Sequence, residues 1–277
     1  MALTPLQRRI YRLLAEERRR SGESYVAGGG ALNELLAGRR LSQDVDLFHD
    51  TEAAVAATFP RDRDVLAAAG LAVTVVQRSG PAYLKAEVSD EGESVLVEWT
   101  QDSAYRFFPL LEHPELGLTL HPFDLATNKV LALVGRREAR DFIDVLQCHV
   151  ALQPLGYLAW AAAGKDPGFG PLDIVEEAAS RSRYTQPEID ALAFDGVPPS
   201  AADLSRRWHV AVAEARELVR TLPAEEAGTC VLDAGVAARE VRFVKSTPQV
   251  LAAELRAGRV LFHDGAIRGA FPRVRSS

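Results

Sequence analysis

Residues 40–48 read Arg-Leu-Ser-Gln-Asp-Val-Asp-Leu-Phe, and this segment constrains the fold more than any other. Its side chains alternate in character with period two, the mark of a strand with one buried face, so a strand is expected over Leu41–His49. Val45 and Leu47 then fill one face, and Ser42, Asp44 and Asp46 share the other. Aspartate is disfavoured in strands. Two carboxylates roughly 6–7 Å apart along one face cannot both be buried ionised without a cation. Divalent ions with oxygen ligands, keeping positions open for substrate phosphates, suit such a pair. A solvated strand face bearing two ordinary acids is the alternative.

The surrounding pattern supplies a mixed fold. Thr4-Pro5-Leu6-Gln7 has the form of a capped helix start, and Leu6, Ile10, Leu13 and Leu14 follow at helical spacing. That helix is expected to run out near the polar stretch Arg18–Ser24. Tyr25-Val26-Ala27 is a short apolar run before Gly28-Gly29-Gly30, and a helix is expected over Ala31–Ala37. Short Ala-rich helices are expected at Thr51–Ala57 and Asp62–Ala69. Strands follow at Val73–Gln77, Tyr83–Val88 and Ser94–Trp99, the last two joined by a turn at 89–93. A long helix is expected from Asp124 to about Ala151, with Gly135 as its one weak point. Beyond Pro154 the chain is Ala-rich and mainly helical, with Ser200 or Asp203 capping its longest helix. Thr247-Pro248 starts another helix, and Val260–His263 and Ala266–Phe271 read as a hairpin through Asp264-Gly265. The expected architecture is α+β: a small mixed sheet with helices on one face over residues 1–152, then a mainly helical domain over 153–277.

Three glycines before a helix admit several readings. A dinucleotide fingerprint wants a third glycine where Asn33 stands, and a phosphate loop wants Gly-Lys-Ser/Thr, which is absent. What remains is a tight turn that bares backbone N–H groups, a generic site for phosphate oxygens, or a purely structural turn. A third carboxylate for the aspartate pair is sought on a neighbouring strand. Glu98 in Ser94–Trp99 is the first candidate and Asp102, beyond the strand end, the second; an exposed strand-end acid is the competing reading of Glu98. Further along, Lys129, Arg136, Arg140 and Asp144 would fall within roughly 80° on one continuous helix. Such a stripe suits a triphosphate clamp, or is a salt-bridged surface in which Asp141 or Asp144 orients an arginine.

The chain has 277 residues, 47% hydrophobic and 25% charged, with a net charge of −6. This mix excludes a disordered, collagen-like or low-complexity protein. Two cysteines, Cys148 and Cys230, build neither a disulfide framework nor a zinc knuckle, so a reducing cytoplasm is expected. The arginine-rich start lacks an apolar stretch of the kind a signal peptide needs. The most apolar window, Val145–Gly164, contains Gln147, His149, Gln153 and Pro154, so no membrane segment is expected. Mild acidity argues against coating nucleic acid non-specifically, but residues 229–277 carry eight Lys/Arg against four acids, a local +4.

Gly29-Gly30, Arg40-x-Ser42-x-Asp44-Val45-Asp46-Leu47-Phe48, and Asp124-Leu125-Ala126-x-x-Lys129 followed by Arg136-x-x-x-Arg140-Asp141-x-x-Asp144 together resemble the nucleotidyltransferase superfamily. That superfamily includes DNA polymerase beta, poly(A) polymerases and aminoglycoside nucleotidyltransferases, and the closer resemblance is to the AbiEii/AbiGii toxin branch with the mycobacterial MenT toxins. It covers roughly residues 20–150. The resemblance implies that Asp44 and Asp46, with Glu98, hold Mg²⁺ or Mn²⁺, and that Gly29, Gly30 and Ser42 cradle phosphate oxygens. It implies that Lys129 neutralises an NTP triphosphate alongside Arg136 and Arg140, and that Asp144 positions Lys129 or Arg140. The implied reaction transfers a nucleoside monophosphate to an acceptor hydroxyl, with RNA, tRNA in particular, as acceptor and an antitoxin as partner. A small-molecule or protein acceptor, or a non-catalytic nucleotide-binding protein, are the other readings.

Overall fold

The computed structural model describes residues 3–235 and 240–272. Contacts group the chain into two compact units, one of Met1–Ala104, Leu110–His121 and Ala193–Gly196, the other of Tyr105–Pro109, Pro122–Leu192 and Val197–Ser277. The composition changes near residue 152, and the chain passes between the two units at 104/105, 109/110, 121/122, 192/193 and 196/197.

In the first unit, α1 (Pro5–Ser21) starts as the sequence dictates: Thr4 Oγ1 accepts from the Gln7 N–H, and Gln7 Oε1 accepts from the Thr4 N–H. It continues through Arg18–Arg20, past its expected end. Arginines in a last turn favour the helix dipole, and Arg18 is buried with its guanidinium donating to the carbonyls of Tyr11 and Leu116. Gly22, at φ 64°, stops the helix. Strand β1 (Ser24–Val26) leads into α2 (Gly28–Leu35), and β2 (Asp44–His49) into α3 (Glu52–Ala68). A single α3 replaces the two short helices expected. Pro60 is tolerated inside it because Phe59, Asp62 and Leu66 are buried on one side, and that packing outweighs the lost N–H.

Strands β3 (Ala72–Ser79), β4 (Tyr83–Asp90) and β5 (Glu93–Gln101) follow. Glu91 and Gly92, both at positive φ, form the expected β4–β5 turn. β6 (Tyr105–Arg106) belongs to the second unit, while β7 (Leu111–His113) and β8 (Gly117–Thr119) complete a seven-stranded mixed sheet of order β3-β4-β5-β2-β1-β8-β7. β2 pairs parallel with β5 and antiparallel with β1. Helices α1 and α3 lie over the face formed by Val45, Leu47, Val97 and Trp99. The Trp99 indole donates to Asp62 Oδ2 at 2.8 Å, and His49 Nε2 lies 2.6 Å from Thr58 Oγ1.

Asp62 gives this core a pH dependence. Burial pushes its carboxyl up to about 6, against the opposing pull of the Trp99 N–H and Arg18. Because the folded value lies above the unfolded one, the contribution to stability is complete below pH about 4 and is lost as pH rises through 6. Asp62→Asn retains an acceptor for Trp99 and removes the titration. Urea melts from pH 4 to 7.5 should show wild type losing on the order of 2–3 kcal/mol relative to the variant. Parallel pH profiles would show that Asp62 is not the group responsible.

In the second unit α4 (Pro122–Gly135), α5 (Ala139–Ala151), α6 (Leu155–Ala162), α7 (Pro171–Arg181), α8 (Gln186–Asp190), α9 (Ala201–Thr221) and α10 (Pro248–Arg256) surround one another. All eight residues of α6 are buried, against α4, α5, α7 and α9 among others. The apolar window around residue 155 is therefore the centre of a helical core. No helix among the described residues is long and apolar enough to cross a membrane. The single helix expected over 124–151 is instead α4 and α5, parted after Gly135. The expected C-terminal hairpin does not form. β10 (Val260–His263) pairs with β9 (Cys230–Asp233), and β11 (Ala266–Ile267) pairs with β6. At the intervening turn Gly265 lies against the Tyr105 ring, and the chain passes from one partner strand to the other. Of the basic residues in the tail, Arg239, Arg273 and Arg275 lie outside the described residues.

Candidate active site

The aspartate pair is placed as its spacing requires. In β2, Val45, Leu47 and His49 are buried, while Asp44, Asp46 and Phe48 are half-buried on the opposite face. Two neighbouring strands extend that face. Glu98 of β5 is in parallel register with Asp46, and side chains paired in this way project from the same side. Lys85 of β4 stands opposite Glu98, with its ammonium 2.6 Å from Glu98 Oε1. Glu98 is thus beside Asp46 but engaged by a lysine, and no three His, Cys, Asp or Glu residues converge as a metal cluster among the described residues. Asp102 follows the end of β5, where its carboxylate accepts from the Ser103 N–H at 2.8 Å. Ser42 lies before the strand rather than on it. Its hydroxyl donates to the Asp44 carbonyl at 3.2 Å, and its own carbonyl accepts from the Gln7 side chain at 2.9 Å.

The glycines form the first turn of α2 rather than a loop ahead of it. Gly28 is the decisive one, although the sequence patterns single out Gly29 and Gly30. It has φ 72°, and a Cβ there would stand 1.7 Å from Asp46 Oδ2 and 2.5 Å from Asp46 Cγ. The Asp46 carboxylate therefore lies directly on the Gly28 backbone. Gly30 is also closely fitted, with Tyr11 Oη and Leu3 Cδ2 each 3.3 Å from the position of an added Cβ. The Tyr11 phenol is held protonated far above its usual range, first by burial and then by the charge of Asp46. The first-turn N–H groups of α2 have no partner within the helix, which gives this end of the sheet a cradle for anionic oxygens.

Gly28→Ala should strain a left-handed backbone, which costs about 1–2 kcal/mol, and also drive the Asp46 carboxylate aside. Metal-dependent stabilisation and any activity should then fall together, while Gly30→Ala should be milder. Urea melts with and without Mg²⁺ test this; a Gly28→Ala protein with wild-type metal response would show that the contact is not functional.

The basic motif in the second unit is built around buried carboxylates. Lys129 of α4 lies 2.9 Å from Asp141 Oδ1 and 3.2 Å from Asp144 Oδ2, both on α5. Arg136, between the two helices, makes a second ion pair to Asp141 at 2.7 Å. Asp141 and Asp144 are fully buried and Lys129 nearly so, whereas Arg136 is half exposed. Burial would raise the Asp141 carboxyl, but the Arg136 hydrogen bond and the Lys129 charge hold it below the ordinary carboxylate range. The expected single stripe is thus divided between two helices and their linker, with Arg140 and Asp144 on α5. Asp144 does contact Lys129, and Asp141 does orient an arginine. A pairing not signalled by the sequence lies nearby: Lys165 Nζ is 2.8 Å from Asp124 Oδ1, while the Asp124 carboxylate accepts from the N–H groups of Phe107 and Phe108 at 2.8 and 3.0 Å. It joins residues 41 positions apart, a separation that no local motif registers.

No protein-family description matches the sequence, and none of the curated proteins matches it. By structure the chain is similar to MenT4, a nucleotidyltransferase toxin from Mycobacterium tuberculosis H37Rv, with a TM-score of 0.51 and 14% identity over 79% of this chain and 85% of that one. It is also similar to JHP933 from Helicobacter pylori, with a TM-score of 0.52 and 13% identity over 79% of this chain and 95% of that one. The chain shares its fold with these two structures.

Proposed function

We propose that this chain is a Mg²⁺-dependent nucleotidyltransferase that moves a nucleoside monophosphate from an NTP to a hydroxyl of RNA, with tRNA as the acceptor, and that it acts in the cytoplasm as the toxin of a toxin–antitoxin pair. The observation that carries the reading is the Asp44–Asp46 pair on the half-open sheet face, with Asp46 laid against Gly28. The donor set fits a hard divalent ion: two carboxylates from the chain leave the remaining positions for phosphate oxygens and water, as Mg²⁺ prefers. When bound, Mg²⁺ or Mn²⁺ would neutralise triphosphate charge and acidify the acceptor hydroxyl.

The chain's own residues have separate tasks. Asp44 and Asp46 would hold the metal. Glu98 would join them by exchanging its Lys85 partner. The N–H groups of Gly29 and Gly30 would bind phosphate oxygens, and Ser42, through its bond to the Asp44 carbonyl, would fix the start of the strand. Lys129 would neutralise the triphosphate, with Asp144 positioning its ammonium and Arg136 and Arg140 contributing charge. The RNA acceptor and the antitoxin rest on resemblance to the toxin branch; MenT4 is itself a nucleotidyltransferase toxin.

The test is to incubate the protein with each labelled NTP, Mg²⁺ and total tRNA. Label in tRNA, together with growth arrest when the protein is expressed, is the expected result. Label confined to protein or small molecules would overturn the RNA acceptor, and no transfer to any acceptor would overturn the transferase reading itself.

A further inference from the structure

The sheet face that carries the aspartates lies wholly within the first unit, and register sets three rows of side chains on it across β2, β5 and β4. These are Asp44, Leu96 and Glu87; Asp46, Glu98 and Lys85; and Phe48, Thr100 and Tyr83. All of them are half-buried. Among the described residues of these three strands, the face thus holds four carboxylates and one cation, Lys85. Lys85 Nζ is 2.6 Å from Glu98 Oε1, and each side chain is 22% exposed. The Lys85 ammonium is held charged above the ordinary lysine range, first by its hydrogen bond to Glu98, against burial, and then by the charges of Glu98, Tyr83 and Asp44. The pull of Asp44 ties Lys85 to the aspartate pair two strands away. An opposite-charge pair across two strands is ordinary in itself. This one engages the carboxylate that stands in register with Asp46, and among the described residues no three acidic groups converge on a metal position.

We propose that Lys85 is an internal competitor for divalent metal: its ammonium occupies Glu98, so that Glu98 becomes a ligand beside Asp44 and Asp46 only when Lys85 is displaced. The proposal rests on the reading of Asp44 and Asp46 as metal ligands. A partly exposed ion pair is weak and exchanges readily, and an ammonium is a point charge on a flexible stem, without the bidentate hold of a guanidinium. A hard divalent ion prefers carboxylate oxygen and carries twice the charge. Without metal, Lys85 offsets part of the repulsion on an acidic face. With metal, the same ammonium has to give way, so the chain binds the ion less tightly than three unoccupied carboxylates would.

Titration of Mn²⁺ into the full chain, with free Mn²⁺ read by EPR, tests this without reference to transfer. Lys85→Met keeps the apolar stem and removes the charge, and it should bind Mn²⁺ several-fold more tightly than wild type. Lys85→Arg keeps the charge and should show no gain. On a Glu98→Gln background the gain from Lys85→Met should largely vanish, because no carboxylate is left to release. Thermal melts give a second readout: Lys85→Met should melt below wild type without metal and gain more from added Mn²⁺. Unchanged or weaker Mn²⁺ binding in Lys85→Met, an equal gain in Lys85→Arg, or an undiminished gain on the Glu98→Gln background would each overturn the proposal. If Asp46→Asn lowers the affinity while Lys85→Met leaves it at the wild-type value, this proposal falls and the metal pair stands. Absence of Mn²⁺ binding in every one of these proteins would overturn both.

Discussion

Asp46→Asn is expected to abolish nucleotide transfer while leaving the fold in place. Asparagine retains the shape that lies against Gly28 but removes a ligand charge from a half-exposed position. Losing a metal that stabilises both attacking and leaving oxygens costs several kcal/mol in the transition state, a rate loss of about a thousandfold or more. The metal-free variant should be at least as stable as wild type, because two like charges on one strand face become one. Wild type should gain stability from added Mg²⁺ by mass action, and the variant should gain much less. Thermal melts with and without Mg²⁺, run beside the labelled-NTP assay, separate the two effects. Full transfer activity in Asp46→Asn would end the catalytic assignment of this pair. A wild type that neither responds to metal nor transfers nucleotide would favour a non-catalytic binding protein.

What was legible in the sequence was local and periodic. The alternation in Asp44–Leu47 placed the aspartates on one face, and the Thr4–Gln7 pattern gave the start of α1, because both depend on neighbouring residues alone. Gly28 was missed because its constraint comes from Asp46, eighteen positions later and across a strand–helix junction. Periodicity extended the helix at 124–151 through Gly135, since a projection at a fixed angle per residue cannot register a break. That break lets Lys129 and the α5 carboxylates face each other. The C-terminal hairpin failed for the reverse reason: Asp264-Gly265 is a good local turn, but β10 and β11 each find a partner strand from earlier in the chain.

Lys129→Ala is expected to have the largest effect on stability, and the slope of stability against pH should reverse. Lys129 is almost buried between Asp141 and Asp144, and removing one partner of a buried ion pair typically costs about 3–5 kcal/mol. In wild type, Asp141 is held below the ordinary carboxylate range, with burial opposed by Arg136 and Lys129. Its contribution is therefore present above the unfolded value near 4 and fades as pH falls through the lowered folded value. Without Lys129, the buried carboxylates of Asp141 and Asp144 lose the cation they share, while the half-exposed Arg136 stays on Asp141. Desolvation should then raise the folded value of Asp141, so the variant should lose stability as pH rises from about 5 to 8. Lys129→Arg should restore stability only partly, because a planar fork does not reproduce a point charge placed between two carboxylates. Urea melts at half-unit pH steps, with transfer assayed at the pH where the variant is most folded, separate folding from chemistry. The triphosphate role requires that, in the folded variant, KM for NTP rises or transfer is lost. Wild-type KM and rate in the folded variant would reduce Lys129 to a structural ion pair, and a cost independent of pH would refute the buried-carboxylate account.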